Sequence, residues 1–407
     1  MPPQSAMPLY IRLWGKETDM AESGSFFLTK QKDKPDIGFT TGTCAAAAAC
    51  AAARMLVSGL PVHYVRIMTP KGIPVLIEVV DSVVTVVTSV TAGASAKCAV
   101  RKESGSDPDV TNGVLVYAEV TLNDSCTIEI DGGIGVGRVT LPGLDQPVGW
   151  AAINHVPRQM IADCVRKEIG DERGAKVIIS IPDGVELASK TFNPRLGITG
   201  GISVLGTSGI VEPMSQQALL DTIQVEINMR KALGYNILPI AIGNYGKDFL
   251  MKEYDFAVEK AVTSSNFIYD SIRMAVNTGF KKILFIGHIG KLVKVADGVK
   301  NTHSKYGDRR MEILCGIVTD LYCSKSIDDV KVQLSACVST DEAVRILKEA
   351  GIADDVLAEM TRLVHKNMSD WAGTDVQIEL IVFSNVYGVL GKTSGAEKFL
   401  HNFIKEQ

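Results

Sequence analysis

The stretch Lys282-Ile283-Leu284-Phe285-Ile286-Gly287-His288-Ile289-Gly290-Lys291 decides how the second half of this chain folds. Ile283 to Ile286 is a short, unbroken apolar run, as a strand needs when both faces of its sheet are covered. It ends in a glycine turn, and Asn266 to Asn277 before it repeats at helical spacing. The same order occurs once earlier. Ser215 to Leu233 reads as a helix ending at Gly234, Asn236 to Ile242 as a buried strand, and Gly243-Asn244-Tyr245-Gly246 as its turn. Strand, glycine turn and helix in that order predict a mostly parallel sheet, with ligands beyond the carboxyl ends of the strands. Two helical stretches, Asp341 to Glu349 and Ile352 to Val364, then precede a last strand, Val376 to Phe383.

The first half has a different rhythm. Residues 1–36 mix polar, charged and Pro residues without periodicity and read as a poorly packed extension. Thr40-Thr41-Gly42-Thr43 precedes an Ala-rich helix, Cys44 to Val57, closed by Ser58-Gly59. Strand-like runs follow at His63 to Met68, Val75 to Val80, Val83 to Val90, Leu115 to Leu122 and Thr127 to Ile130. A helix over Pro157 to Ile169 leads into a strand, Lys176 to Ile181. The expected architecture is α/β and α+β in two domains. An α+β sheet domain with the Ala-rich helix covers 37–200, and a Rossmann-like domain with a mostly parallel sheet covers 201–407.

Composition excludes several classes. The 407 residues carry 42 Lys+Arg against 46 Asp+Glu, a net charge of −4, so no global basic field holds nucleic acid or an anionic membrane. Eight cysteines and six histidines are scattered, with no C-x-x-C or H-x-x-x-H pair, so no protein metal site is expected. The apolar run Cys44 to Ala53 stops at Arg54, too short to cross a bilayer, and no signal-peptide run precedes Lys16. A cytoplasmic protein with reduced thiols and no membrane partner is expected; homo-oligomerisation stays open.

The motifs each carry two readings. Asn193 to Gly209 is the densest glycine loop. Its Gly201-x-x-x-x-Gly206 spacing approaches a phosphate loop, but Thr207 stands where the lysine belongs, which counts against a phosphotransferase. A sharp turn between domains explains the same glycines. Gly132 to Arg138 either clamps a carboxylate through Arg138 or forms a bulged hairpin. Thr40 to Thr43 is an anion site at a helix N-terminus or a plain N-cap. Asp107-Pro108-Asp109 pairs two carboxylates in one turn, for a cation, a proton or turn chemistry alone. His288 is a base or a polar ligand contact, and Lys291 meets an acidic substrate. Asn301 to Lys305 reads as a polar turn.

Taken together, Gly38 to Ala47, Asp107 to Gly113, Asp131 to Arg138, Phe192 to Gly209 with Ile210 to Ser215, and Gly287 to Lys291 with Asn301 to Ser304 resemble the CbiD family, the cobalt-precorrin-5B C1-methyltransferases of anaerobic cobalamin biosynthesis. The resemblance implies methyl transfer from S-adenosylmethionine to ring carbon C1 of a tetrapyrrole that carries its own cobalt. It implies a cofactor cradle at Thr199, Gly200, Gly201, Ser203, Gly206, Thr207, Gly209 and Gly287. Thr40, Thr41, Thr43, Arg138, Lys291 and His303 match positions that face the macrocycle, and any proton transfer falls to His288, Asp107 or Asp109. Asn112 departs from the family pattern, where histidine is expected, as does Gly149 to Arg158. A non-enzymatic tetrapyrrole carrier and a phosphotransferase are the competing readings.

Overall fold

The computed structural model describes residues 38–85, 93–213, 215–322 and 327–405. The expected extension over 1–36 and the part of the Val83 to Val90 run beyond residue 85 lie outside them. The chain divides into two compact units, one formed by residues up to 141 with 145–215, the other by 142–144 with 216–407.

The first unit begins with β1 (Gly38–Phe39) and α1 (Thr41–Ser58). Strands β2 (Tyr64–Met68), β3 (Pro74–Glu78), β4 (Asp81–Thr85), β5 (Ser95–Arg101), β6 (Leu115–Asn123) and β7 (Ile128–Gly132) follow. Then come the two-residue strands β8 (Gly135–Val136) and β9 (Arg138–Val139), helix α2 (His155–Ile169), β10 (Gly174–Ser180) and the short α3 (Gly184–Leu187). β11 (Ile198–Thr199), β12 (Gly201–Ile202) and β13 (Ile210–Val211) complete it. The main sheet has the order β4-β5-β6-β10-β7, antiparallel except for the last pair. Sequence reading missed β5, a central strand made of Ser-Ala-Lys-Cys-Ala-Val-Arg. Small residues rather than β-branched ones fill it because α1 lies against it.

Every residue of α1 from Thr41 to Ala53 is buried, since the helix is covered by β5, β6 and α2 at once. Alanines permit that approach at little entropic cost. By length and composition α1 is long enough to cross a membrane, but 83% of it is buried inside the structure, which accounts for its apolar character. Its C-terminus closes on Gly59 in the left-handed conformation, whose N–H donates to the Met55 carbonyl.

The two glycine loops of this unit pair with each other. β12 runs parallel to β8, with Gly201 opposite Gly135, and β11 runs antiparallel to β9, with Thr199 opposite Arg138. Neither the bulged hairpin nor an inter-domain turn describes this arrangement, and the expected boundary at 200/201 falls within one unit. A Cβ on Gly184 would stand 2.2 Å from the Gly135 carbonyl oxygen and one on Gly201 2.3 Å from the same atom. Backbone fills the space that a ligand would need.

The second unit contains α4 (Gln216–Ala232), β14 (Leu238–Ile242), α5 (Gly243–Tyr254), β15 (Val262–Thr263), α6 (Ile268–Asn277), β16 (Lys282–His288) and α7 (Ile289–Ala296). Next come α8 (Arg310–Leu321), α9 (Asp328–Ala336), α10 (Thr340–Glu349), α11 (Ala353–Ala372), β17 (Gln377–Ser384), β18 (Gly388–Lys392) and α12 (Ala396–Lys405). The sheet order is β15-β14-β16-β17-β18, parallel except for the antiparallel edge β18. Ile283 and Phe285 of β16 face the core beneath α6, α7, α8 and α11, while Leu284 and Ile286 face the core under α5 and α12. That two-sided burial is why the run is continuous rather than alternating.

Val376 to Phe383 is not the last strand, because β18 and α12 follow it. β18 is a half-exposed edge containing two glycines and therefore lacks an alternating signal. Helices α8 and α9 were missed. The expected glycine turns are absent as turns: β16 runs through His288 and α7 starts at Ile289, and Gly243 already opens α5.

The glycine packing generates a stability test. Gly135 has φ +77°, and a Cβ there would lie 1.6 Å from the Ile181 carbonyl oxygen, whereas Gly200, at φ +79°, has open space. Gly200→Ala should cost about 1–2 kcal/mol, the left-handed penalty alone. Gly135→Ala should cost more than about 4 kcal/mol, because backbone must move as well. Urea unfolding of the two variants measures the difference; equal losses would show that the close approach does not carry the energy.

Candidate functional site

In the second unit a cleft of about 610 Å³ opens at the carboxyl ends of β14 and β16. Ile242 and Gly243 border it from the first strand, and His288, Gly290 and Lys291 from the second. Tyr245 of α5, Arg310 at the start of α8 and the segment Val338 to Asp341 at the start of α10 complete the wall. The size falls within the roughly 300–1,000 Å³ of small-molecule sites. Helices α5, α7 and α10 all begin at this cleft, so their free N–H groups bias it toward negative ligand groups.

His288 sits at the junction of β16 and α7. Its Nδ1 accepts the Gly290 N–H at 3.0 Å and caps α7. That bond requires an unprotonated Nδ1, so the neutral ring carries its hydrogen on Nε2. The ring packs edge-on against Phe383, 5.5 Å between centroids, and lies 6.1 Å from Tyr245. Burial pushes its pKa below the usual histidine value; Asp341 opposes the shift and Arg310 adds to it. A ring held this way offers an N–H donor to a ligand, and its capping nitrogen is already used.

Lys291 lies one turn into α7, with its ammonium 3.2 Å from the Ser265 carbonyl oxygen. A Cβ on Gly243 would stand 3.3 Å from that nitrogen, so the glycine gives the lysine its room. Burial alone pushes its pKa down. Arg310, by contrast, is bound by both Asp308 oxygens, at 2.7 and 2.6 Å. Gly287 has a packing role: a Cβ there would meet Ile242 and Leu292 at 2.7 and 2.8 Å. His303 is exposed, caps a turn by accepting the Lys305 N–H, and is not among the residues that line the cleft.

The remaining sequence-predicted residues belong to the first unit. Thr40 caps α1 by accepting the Thr43 N–H, the Thr43 hydroxyl donates to the Gly209 carbonyl at 2.6 Å, and the Gly42 N–H donates to Leu205. Thr41 is buried beside them. Gly206 and Gly209 lie against Thr40 and against Thr43 with Thr69, and Ser203 donates to Asn193. The helix N-terminus expected to bind an anion is thus capped from within its own unit. Of the residues expected to cradle the cofactor, Thr199, Gly200 and Thr207 are exposed.

Arg138 forms a two-pronged ion pair with Asp131, at 2.7 and 3.0 Å, and donates to the Gly132 carbonyl. Asp109 faces the buried Lys102, whose ammonium stands 2.5 Å from its Oδ2, and its Oδ1 accepts the Thr111 N–H and hydroxyl. Burial would raise the Asp109 carboxyl, but these bonds outweigh it and hold the group below the usual carboxylate range. Lys102 also donates to Ser104, and Asn112 accepts the Ser104 N–H, so Asp109 and Asn112 serve one closed turn. Asp107 is half-buried in the same turn.

Sequence reading missed Tyr245, Arg310, Ser339, Thr340 and Asp341. A signal for the last three existed: Ser339 caps α10 by accepting the Glu342 N–H, and Ser-Thr-Asp-Glu is a capping pattern.

The family described as CbiD matches residues 28–213, and its C-terminal domain matches 301–394. A cobalt-precorrin-5B C(1)-methyltransferase of Alkaliphilus metalliredigens is 41% identical over 92% of this chain and 96% of that one. The chain belongs to the CbiD family. A protein of the same description from Ruminiclostridium cellulolyticum is 40% identical over 93% of this chain and 98% of its own length. A solved cobalamin biosynthesis protein (cbiD) from Archaeoglobus fulgidus is 26% identical and covers 72% of this chain and 91% of its own, with a TM-score of 0.37.

For this CbiD-family chain, His288 gives a pH prediction. Its folded pKa lies below the unfolded value of about 6.5, so its contribution to stability is complete above that value and is lost as pH falls through it toward the folded pKa. His288→Asn retains an N-cap acceptor without the titration. Unfolding free energies measured at about pH 8 and about pH 5 should show a larger acid loss in the wild type than in the variant. Equal losses would mean that the ring does not titrate against folding.

Proposed function

We propose that this chain transfers a methyl group from S-adenosylmethionine to ring carbon C1 of cobalt-precorrin-5B, giving cobalt-precorrin-6A in anaerobic cobalamin biosynthesis. The observation that carries the reading is the 41% identity, across nearly the whole of both chains, to a relative described by that activity. The donor supplies an electrophilic methyl group on a sulfonium: the sulfur–methyl bond breaks as C1 provides the electron pair for the new bond. The same reading places the enzyme in the cytoplasm, with cobalt arriving in its substrate and neither nucleic acid nor membrane as a partner.

The protein's task in such an in-line displacement is to hold two reactants close and aligned; no covalent residue is required. The carboxyl-edge cleft of the second unit suits the donor. It has the volume of a small-molecule site, a part-buried lysine, an imidazole N–H and an exposed Tyr245 ring. His288 then holds a ligand acceptor through Nε2–H and takes no proton, because its other nitrogen caps α7. The strand ends behind it are apolar, and a back wall of low polarity favours a step in which charge disappears from sulfur. In the first unit, Thr199, Gly200 and Thr207 are the exposed residues of the expected cradle. The Gly201 to Gly206 segment gives a phosphotransferase no support, since Gly201 is paired to Gly135.

Incubation of purified protein with cobalt-precorrin-5B and methyl-labelled S-adenosylmethionine tests the proposal. The expected product is heavier by one methyl group and carries the label at C1 by NMR. A macrocycle that binds and stays unmethylated, or a label on another carbon, would overturn it.

A further inference from the structure

Two opposite charges face the second-unit cleft without neutralising each other. Among the described residues, no carboxylate lies within ion-pair distance of the Lys291 ammonium; its recorded partner is the Ser265 carbonyl oxygen. A part-buried cation without a counter-charge is costly unless a ligand supplies one. Asp341 lines the same cleft from the start of α10 and Lys291 from the start of α7, and no ion pair joins the two. One Asp341 oxygen, Oδ1, accepts the Ser384 hydroxyl at 2.5 Å, and that hydroxyl in turn accepts the Val386 and Tyr387 N–H groups. This orients the carboxylate, and among the described residues no donor reaches Oδ2. The third charge, Arg310, is already matched by Asp308.

We infer that Lys291 and Asp341 form a clamp for an α-amino-acid zwitterion, Lys291 receiving the carboxylate and Asp341 the ammonium. Separation of the charges distinguishes this ligand from others. A phosphate or a dicarboxylate would gain at Lys291 and be repelled by Asp341, and a simple cation would gain at Asp341 and be repelled by Lys291. Only a group carrying both signs satisfies both walls. The N-termini of α5 and α7 flank the Lys291 side and add N–H dipoles for the carboxylate. Under the proposed function, on which this inference rests, the zwitterion is the amino-acid end of the methyl donor. The nucleoside end then lies toward Tyr245.

Calorimetric titration of the full chain tests the clamp with two probes that share a nucleoside: S-adenosylhomocysteine, which has the amino-acid end, and 5′-methylthioadenosine, which lacks it. Wild type should prefer the first by about tenfold or more. Lys291→Met and Asp341→Asn should each lower affinity for S-adenosylhomocysteine about tenfold while leaving 5′-methylthioadenosine unchanged, and Lys291→Arg should retain the preference. Thermal unfolding of each variant reports whether the fold persists, and the arginine variant keeps the test decisive should the methionine variant not fold.

Wild-type binding that neither substitution alters, or that both reduce equally for the two probes, overturns the clamp and leaves the donor in the cleft. Wild type that binds neither probe overturns both the clamp and the donor's place. Uroporphyrin serves as a third probe. Should Lys291→Met weaken this polycarboxylate and spare S-adenosylhomocysteine, the lysine holds a macrocycle carboxylate and the clamp is wrong.

Discussion

Ile283, Leu284, Phe285 and Ile286 leave β16 no face on which a polar group could be solvated. β14 is in the same position and so is β17 from Leu380 onward, with Leu238, Ile240, Leu380 and Val382 turned toward one core and Ala241, Ile381 and Phe383 toward the other. The buried Glu379 near the start of β17 is fully engaged by Gln377, Thr393 and the Gly395 N–H. An unpaired polar atom placed along these strands would cost on the order of 1–3 kcal/mol. Chemistry is therefore driven to the strand ends. There the parallel connections require helices to start, and those starts expose N–H groups together. Gly243, His288 and Lys291 sit where they do because the strands behind them are closed to polar residues.

The same constraint explains what could be read from sequence and what could not. An apolar run with no alternation announces a strand covered on both sides, so β14, β16 and β17 were visible, and their carboxyl ends marked His288 and Lys291. The opposite wall of the cleft was not visible. Asp341 and Arg310 arrive on α10 and α8, and their place beside His288 depends on how α10 and α8 pack, which no local pattern encodes. In the first unit β5 escaped notice for a related reason: Ala96 and Cys98 satisfy a demand for small volume beneath α1, and that demand overrides β-propensity.

Glycine was the less faithful guide. A dense glycine loop suggests backbone opened to a ligand, and the same residues equally allow backbone to meet backbone. Gly135, Gly184 and Gly201 take the second course, and Gly206 and Gly209 let the loop lie on Thr40 and Thr43. Sequence spacing cannot separate the two uses, because both require the missing Cβ. What separates them is the partner atom. At Gly243 the nearest atom to a Cβ would be the Lys291 ammonium, so this glycine makes room for a charge that faces a cleft.

That charge is also where stability and function part. Lys102 and Lys291 are both lysines taken largely out of water, but Lys102 is surrounded by Asp109 and Ser104 and completes a closed turn. Lys291 has one carbonyl oxygen. A fold selected for stability alone would give Lys291 a carboxylate or replace it with an apolar residue of similar volume. Asp341 lines the same cleft, but its Oδ1 is engaged by Ser384 and it makes no ion pair with Lys291. Local rules are broken mainly where a ligand restores the balance, and an unmatched lysine beside an oriented, unmatched carboxylate oxygen breaks two of them at one place.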